Sequence, residues 1–147
     1  MNSTRLAAHC LALLDTTSGP IAVACPRAPR LRAALAASAR LAGDREFAVA
    51  GVVAFLGASA RPHERQAVLR DVARRLGRGA QLMLIDHNQP RSPWRRALSL
   101  LALAAAGLSP ARARYPAARE LAVLGFLVER LRLACGERVQ LISARRR

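Results

Sequence analysis

Residues 63–86 read HERQAVLRDVARRLGRGAQLMLID, and a change of period inside this stretch decides the fold. Up to Leu76 the apolar residues Val68, Leu69, Val72 and Leu76 recur every three or four positions, the spacing of one helix face. Pro62 suits the first helical position, where its missing N–H costs nothing, and Gly77 is expected to stop the helix. Arg65, Arg70, Arg74 and Arg75 are expected to form its wet side. Gly77-Arg78-Gly79 then turns the chain into AQLMLI at 80–85, which is apolar on both alternating faces. Such a run predicts a strand covered on both sides. A helix feeding into a two-sided strand is a unit of a parallel α/β sheet.

Working outward, FAVAGVVAFLG at 47–57 is a second two-sided strand, and IAVAC at 21–25 is a short third. Between these two lies a helix over 31–43, with Leu31, Ala34, Leu35, Ala39 and Ala42 near one face and Gly43 as its stop. A first helix over 5–14 offers Leu6, Leu11 and Leu14 for packing. Downstream, Ser92 caps and Pro93 begins a helix running to Gly107, and Pro116 begins another to about Gly125. FLVERLRLA at 126–134 and RVQLISA at 138–144 alternate apolar and polar around CGE, which predicts an antiparallel hairpin. The expectation is one domain over 1–147: a small Rossmann-like α/β fold in two or three layers. It has about five strands in a mainly parallel sheet, closed by a C-terminal antiparallel hairpin.

The net charge is +15, and all 24 basic residues are Arg, with no Lys. That bias, with abundant Ala and Leu, reads as a GC-rich coding sequence placing Arg at tolerant surface positions. Only five aromatic residues are present (Phe47, Phe55, Trp94, Tyr115 and Phe126), too few for a row of stacking platforms, so no nucleic-acid partner is expected. Cys10, Cys25 and Cys135 are widely spaced and form no zinc-like pattern with His9, His63 or His87, so no metal site is expected. They read as buried thiols in a reducing compartment. The longest apolar stretch, 98–108, is too short to cross a bilayer. A cytoplasmic protein is expected.

The side chains with the most chemistry follow the strand at 80–85. Asp86, His87 and Asn88 stand at a parallel strand's C-terminal end, where α/β sheets tend to place ligands. His87 has the titration range of a general base, Asp86 is suited to orient its imidazole, and Asn88 or Arg91 to hold a polar substrate group. The plainer alternative is that Asp86 and Asn88 satisfy backbone amides in a turn before Pro90. Trp94, with Arg95 and Arg96, suits a lid over a lipophilic substrate, a membrane-surface anchor, or a helix packed in the core or a subunit interface.

From Phe47 to the end the chain resembles the second half of class I S-adenosylmethionine-dependent methyltransferases. FAVAGVVAFLG looks like the family's fourth strand, and HERQAVLRDVARRLGRGAQLMLID like the helix, turn and fifth strand that follow. GFLVERLRLACGERVQLISARR resembles the closing antiparallel pair, and the family's Pro-Gly-Gly appears as Gly77-Arg78-Gly79. The resemblance implies S-adenosylmethionine as cofactor and methyl transfer to a small-molecule acceptor. The loop with Asp86 and His87 then faces the acceptor, with Asn88, Arg91 and Trp94 lining its site. LLDTTSGPIAVACPRAPRLRAALA looks like the first strand, cofactor loop and first helix, which implies cofactor contacts at Ala24, Cys25, Pro26 and Ala28.

Two departures bear on that cofactor. The family's loop is glycine-rich because the backbone must approach the ligand closely, whereas Ala24-Cys25-Pro26-Arg27-Ala28-Pro29-Arg30 has no Gly. Only Gly43, Asp44, Arg45 and Glu46 separate the first helix from FAVAG, leaving no room for the family's second and third strands. Residues 1–46 therefore read as a degenerate cofactor half, and 47–147 as the retained half. Cofactor binding is expected to be weak or lost. Right-handed crossovers would place helix 31–43 on the same face as helix 62–76. The other face would be left with residues 5–15 alone, to be covered by a homodimer or a protein partner. The competing readings are a non-enzymatic interaction or regulatory subunit and an internally deleted gene product.

Overall fold

A computed structural model describes residues 3–14, 21–24, 28–38, 49–57, 62–105 and 116–147. Their elements follow the expected order: α1 (Ser3–Leu13), β1 (Ile21–Ala24), α2 (Pro29–Ala36), β2 (Val49–Gly57) and α3 (Pro62–Arg75), then β3 (Leu76–His87), α4 (Pro93–Ala105), α5 (Pro116–Val123), β4 (Phe126–Ala134) and β5 (Val139–Arg146). Phe47, Cys25 and the expected ends of helices 31–43 and 93–107 lie outside the described residues. The strands form one sheet in the order β1-β2-β3-β5-β4. β1, β2 and β3 run parallel, and β5 is antiparallel to both β3 and β4. The fold is α/β, with the mixed sheet and closing hairpin anticipated from the sequence.

Alternation along the strands divides the core into two layers. On one face Ile21, Val23, Val53, Met83, Ile85, Val139 and Leu141 meet α1 and α2 through Leu6, Cys10, Leu13, Leu31 and Leu35. On the other, Ala22, Ala54, Leu82, Leu84, Ile142 and Ala144 meet α3 and α5 through Leu69, Val72, Ala117 and Leu121. Leu82, Met83, Leu84 and Ile85 have no exposed surface. Each such side chain stabilises the fold by about 1.5–3 kcal/mol. This is why the run 82–85 is apolar at every position.

The position of α2 corrects an expectation. It packs with α1, on the face opposite α3. The crossovers β1–α2–β2 and β2–α3–β3 step the same way across the sheet yet place their helices on opposite faces. Two right-handed crossovers would have set both helices on one face. The compensation is burial: Leu31 and Leu35, 3% and 0% exposed, complete a layer that α1 could not cover alone. The bare face from which a partner was inferred is therefore covered.

Three further differences are local. Arg65 and Arg75 are buried, not on a wet side. Arg65 stands four residues before Leu69 and seven before Val72, which sets it on the apolar stripe itself. The helix stop is not a left-handed Gly77, because α3 passes directly into β3 at Arg75–Leu76 and the positive φ (76°) belongs to Gly79. There the strand bulges, since Leu76 pairs with Val49 and Gln81 with Gly51. The Arg145 guanidinium donates to the Gly79 carbonyl at 2.9 Å, and Arg146 donates to the carbonyls of Ala73 and Leu76, closing the end of α3. Finally, Cys10 is buried as expected, but Cys135 is exposed in the β4–β5 turn.

Candidate functional site

Because β1, β2 and β3 are parallel, Ala24, Gly57 and His87 end at one rim of the sheet. The β4–β5 turn reaches the same rim, since His87 pairs with Val139. Asp86, His87 and Asn88 thus stand where the sequence placed them, at a strand end among loops.

Asp86 is 1% exposed and is held by Arg65 from the first turn of α3. The guanidinium makes a forked contact, Nη2 to Oδ2 at 2.7 Å and Nη1 to Oδ1 at 3.3 Å. Its other edge donates to Glu120 of α5, Nη2 to Oε2 at 2.9 Å and Nε to Oε1 at 3.2 Å. One planar cation therefore fastens β3, α3 and α5. Burial alone would weaken its charge, but the bonds to Glu120 and Asp86 outweigh it and keep Arg65 protonated throughout the working pH range. For Asp86 burial is the larger influence and pushes its carboxyl above the usual range, with Arg65 and the His87 N–H (2.8 Å to Oδ1) pulling it back. Arg65 and Glu120 were not singled out from the sequence. The legible signal was a cation in register with Leu69 and Val72, and an acid adjacent to Leu121 in a short helix.

The side chain of His87 lies on the other face of the sheet. Successive strand residues alternate, so the Asp86 carboxylate meets Arg65 while the imidazole projects toward the α1 and α2 side. The structure does not bring the Asp86 carboxylate to the imidazole, and the two are joined only through the His87 backbone N–H. Nε2 of His87 is buried with no hydrogen-bond partner among the described residues. Burial, followed by the charge of Arg138, holds the imidazole below the usual histidine range. The ring is therefore neutral at pH 7, and a neutral imidazole accepts protons.

This depression has a consequence for stability. The unfolded chain takes up a proton on His87 at a higher pH than the folded chain does, so the associated stability is present above about pH 6.5. It is lost as pH falls through the lower, folded value. His87→Asn is expected to flatten the acid-side slope of Tm against pH, measured by thermal melts from pH 7.5 to 5. An unchanged slope would show that His87 titrates alike in both states.

Asn88 and Arg91 fasten the loop to the hairpin turn. Asn88 Nδ2 donates to the Glu137 carbonyl at 2.8 Å, and its backbone N–H to Arg138 O at 2.8 Å. The Arg91 N–H donates to Glu137 Oε2 at 2.9 Å. Cys135, Gly136 and Glu137 all have positive φ (54°, 64° and 69°), which for the two non-glycine residues costs about 1–2 kcal/mol each. The three bonds from the 88–91 loop hold the turn in that shape. Oδ1 of Asn88 and Oε1 of Gln140 are buried beside it without partners among the described residues. The alternative in which Asp86 and Asn88 serve backbone amides is realised in part: Asp86 accepts one, while the Asn88 side chain donates to a carbonyl.

Trp94 is 62% exposed, with the Arg95 guanidinium 5.3 Å from its ring centroid. It opens α4, whose only buried residue is Ser99 and whose Leu98 and Leu101 are exposed. Of the expected cofactor contacts, Ala24 ends β1 half-buried, and Ala28 is the half-buried residue preceding α2, with no side-chain cap. Cys25 and Pro26 lie outside the described residues. No group of three or more His, Cys, Asp or Glu suited to a metal occurs among the described residues, and no described helix is long and apolar enough to cross a membrane.

No family model matches this sequence, and no curated protein matches it. Solved structures do. The mitomycin 7-O-methyltransferase MmcR superposes with a TM-score of 0.60 at 19% identity, over 99% of this chain and 53% of that one. The pyocyanin biosynthetic protein PhzM gives 0.66 at 14%, over 98% and 55%. The magnesium protoporphyrin IX methyltransferase ChlM from Synechocystis PCC 6803, solved with bound SAH, gives 0.61 at 14%, over 99% and 82%. The chain has a methyltransferase-like α/β fold. It spans about half the length of MmcR and PhzM. Among the described residues the strand order runs from β1 in one direction only, so β1 is an edge strand of the described sheet.

Proposed function

We propose that this chain is a methyltransferase-like protein that keeps the acceptor side of the ancestral site and binds S-adenosylmethionine weakly or not at all. The observation that carries this reading is the edge position of β1. Doubly wound sheets bind their ligand where the winding reverses, beside a strand with neighbours on both sides. Here β1 has one neighbour, β2, among the described residues, and the loop after it is free of Gly. If the cofactor does bind, Ala24, Cys25, Pro26 and Ala28 are the positions beside it, and it supplies the electrophilic methyl group. His87, neutral and at the rim, would then take the proton from a hydroxyl or amine acceptor. The exposed Trp94 and Arg91 would meet that small molecule, while Asn88 and Asp86 hold the loop that carries His87. Binding of SAH by ChlM is the support for the cofactor class.

The exposure of Trp94, Leu98 and Leu101 along one side of α4 favours a second reading, an interaction or regulatory subunit that pairs through this helix as a homodimer or with another protein. One experiment separates the two. Titrating S-adenosylmethionine and S-adenosylhomocysteine calorimetrically is expected to give dissociation constants no tighter than about 1 mM, equivalent to about 4 kcal/mol. Micromolar binding overturns the proposal that the site is weakened. Light scattering on the same samples gives the oligomeric state, and a monomer at every concentration counts against self-association.

A further inference from the structure

A cavity of about 380 Å³ lies between α1 and the hairpin, at the sheet edge opposite β1. Its size falls within the range of small-ligand sites, about 300–1,000 Å³. Leu13 of α1, Ala134 of β4 and Leu141 of β5 supply apolar surface, and His9, Arg130 and Arg132 supply polar surface. Arg130 and Arg132 reach this face through a β-bulge. Val128 pairs with Ala144 but Arg130 with Ser143, so Glu129 is the extra residue. In an unbroken strand Arg130 and Arg132 would share the face of Phe126 and Val128. The bulge turns them to the opposite face, toward α1, which is a recurrent use of bulges beside binding sites.

The bulge residue is itself secured. Glu129 accepts from Arg145 Nε at 2.8 Å, a bond that holds its carboxyl below the usual range. It is thus committed to Arg145, although Arg130 feels its charge. Arg130, Arg132 and His9 make no hydrogen bond or ion pair among the described residues. Two guanidiniums free of hydrogen-bonded acids among the described residues, beside an apolar wall, are complementary to an anion joined to an apolar body. The geometry points to a binding site for a small aliphatic carboxylate, its head between Arg130 and Arg132 and its chain against Leu13, Ala134 and Leu141. This site is independent of the methyltransferase reading and uses none of its residues.

Decanoate, kept below its micelle concentration, is the probe. Calorimetry is expected to show one site per chain, with decanamide bound about tenfold more weakly because it lacks the charge. Replacing both arginines, R130Q with R132Q, is expected to weaken decanoate by about tenfold or more. R78Q with R119Q removes the same charge from exposed positions elsewhere and is expected to change affinity by less than about twofold. All four arginines are exposed, so neither variant disturbs the core. Cys135 also lines the cavity, so in a Cys25→Ser background, with Cys10 buried, saturating decanoate is expected to slow the reaction of Ellman's reagent with the remaining accessible thiol. Absence of one-site binding, equal weakening in both double variants, or an unchanged thiol rate overturns the assignment.

Discussion

Arg65→Met is expected to destabilise the protein by about 3–5 kcal/mol in urea unfolding, because it leaves the Asp86 carboxylate buried without its partner. Asp86 is 1% exposed and Arg65 5%, so water cannot replace the lost bonds without opening the layer between β3, α3 and α5. Met keeps most of the apolar length of Arg, so the loss reports on charge and hydrogen bonding more than on volume. Arg65→Lys is expected to recover only part of it, since a single ammonium cannot present two edges to two carboxylates. Adding Asp86→Asn to Arg65→Met is expected to regain stability by removing the stranded charge. A loss below about 1 kcal/mol for Arg65→Met would place the pair among ordinary exposed ion pairs and contradict the network.

Leu35→Ala is expected to cost about 2–5 kcal/mol, the range for a wholly buried leucine whose surroundings relax incompletely. Leu35 is 0% exposed in the layer shared by α1, α2 and the sheet. Its value lies in a double-mutant cycle. Combined with Leu6→Ala in α1 it is expected to be non-additive, because both sides line one cluster. Combined with Leu69→Ala in α3 it is expected to add, since the sheet stands between them. The opposite pattern would return α2 to the face of α3.

The elements were legible because their signals are local. Pro62, Pro93 and Pro116 each mark a helix start, and uninterrupted apolar runs mark strands buried on both sides. The hairpin was legible from CGE, although the turn extends its left-handed conformation to Cys135 and Glu137, which residue type alone does not favour. Asp86, His87 and Asn88 were legible as a polar cluster at a strand end. Their division was not, because the partner of Asp86 comes from a helix twenty-one residues earlier and that of Asn88 from a turn forty-nine residues later. Arg65 shows the limit of pattern reading. Its position on the stripe of α3 was visible, but a cation there reads as surface until two carboxylates are brought to it.

By itself the sequence determined the identity and order of the strands and helices, the two-sided burial of β2 and β3, and the rim that carries His87. These follow from period, capping and turn chemistry, which act over a few residues. Tertiary structure alone decided which face each helix covers, because α2 can satisfy Leu31 and Leu35 on either side of a sheet that is apolar on both. It also decided that Asp86 and Glu120 share Arg65, and that one extra residue at Glu129 turns Arg130 and Arg132 toward α1. Each of these depends on contacts between segments distant in the chain, where the free energy of burying a layer or pairing a buried charge outweighs local preference.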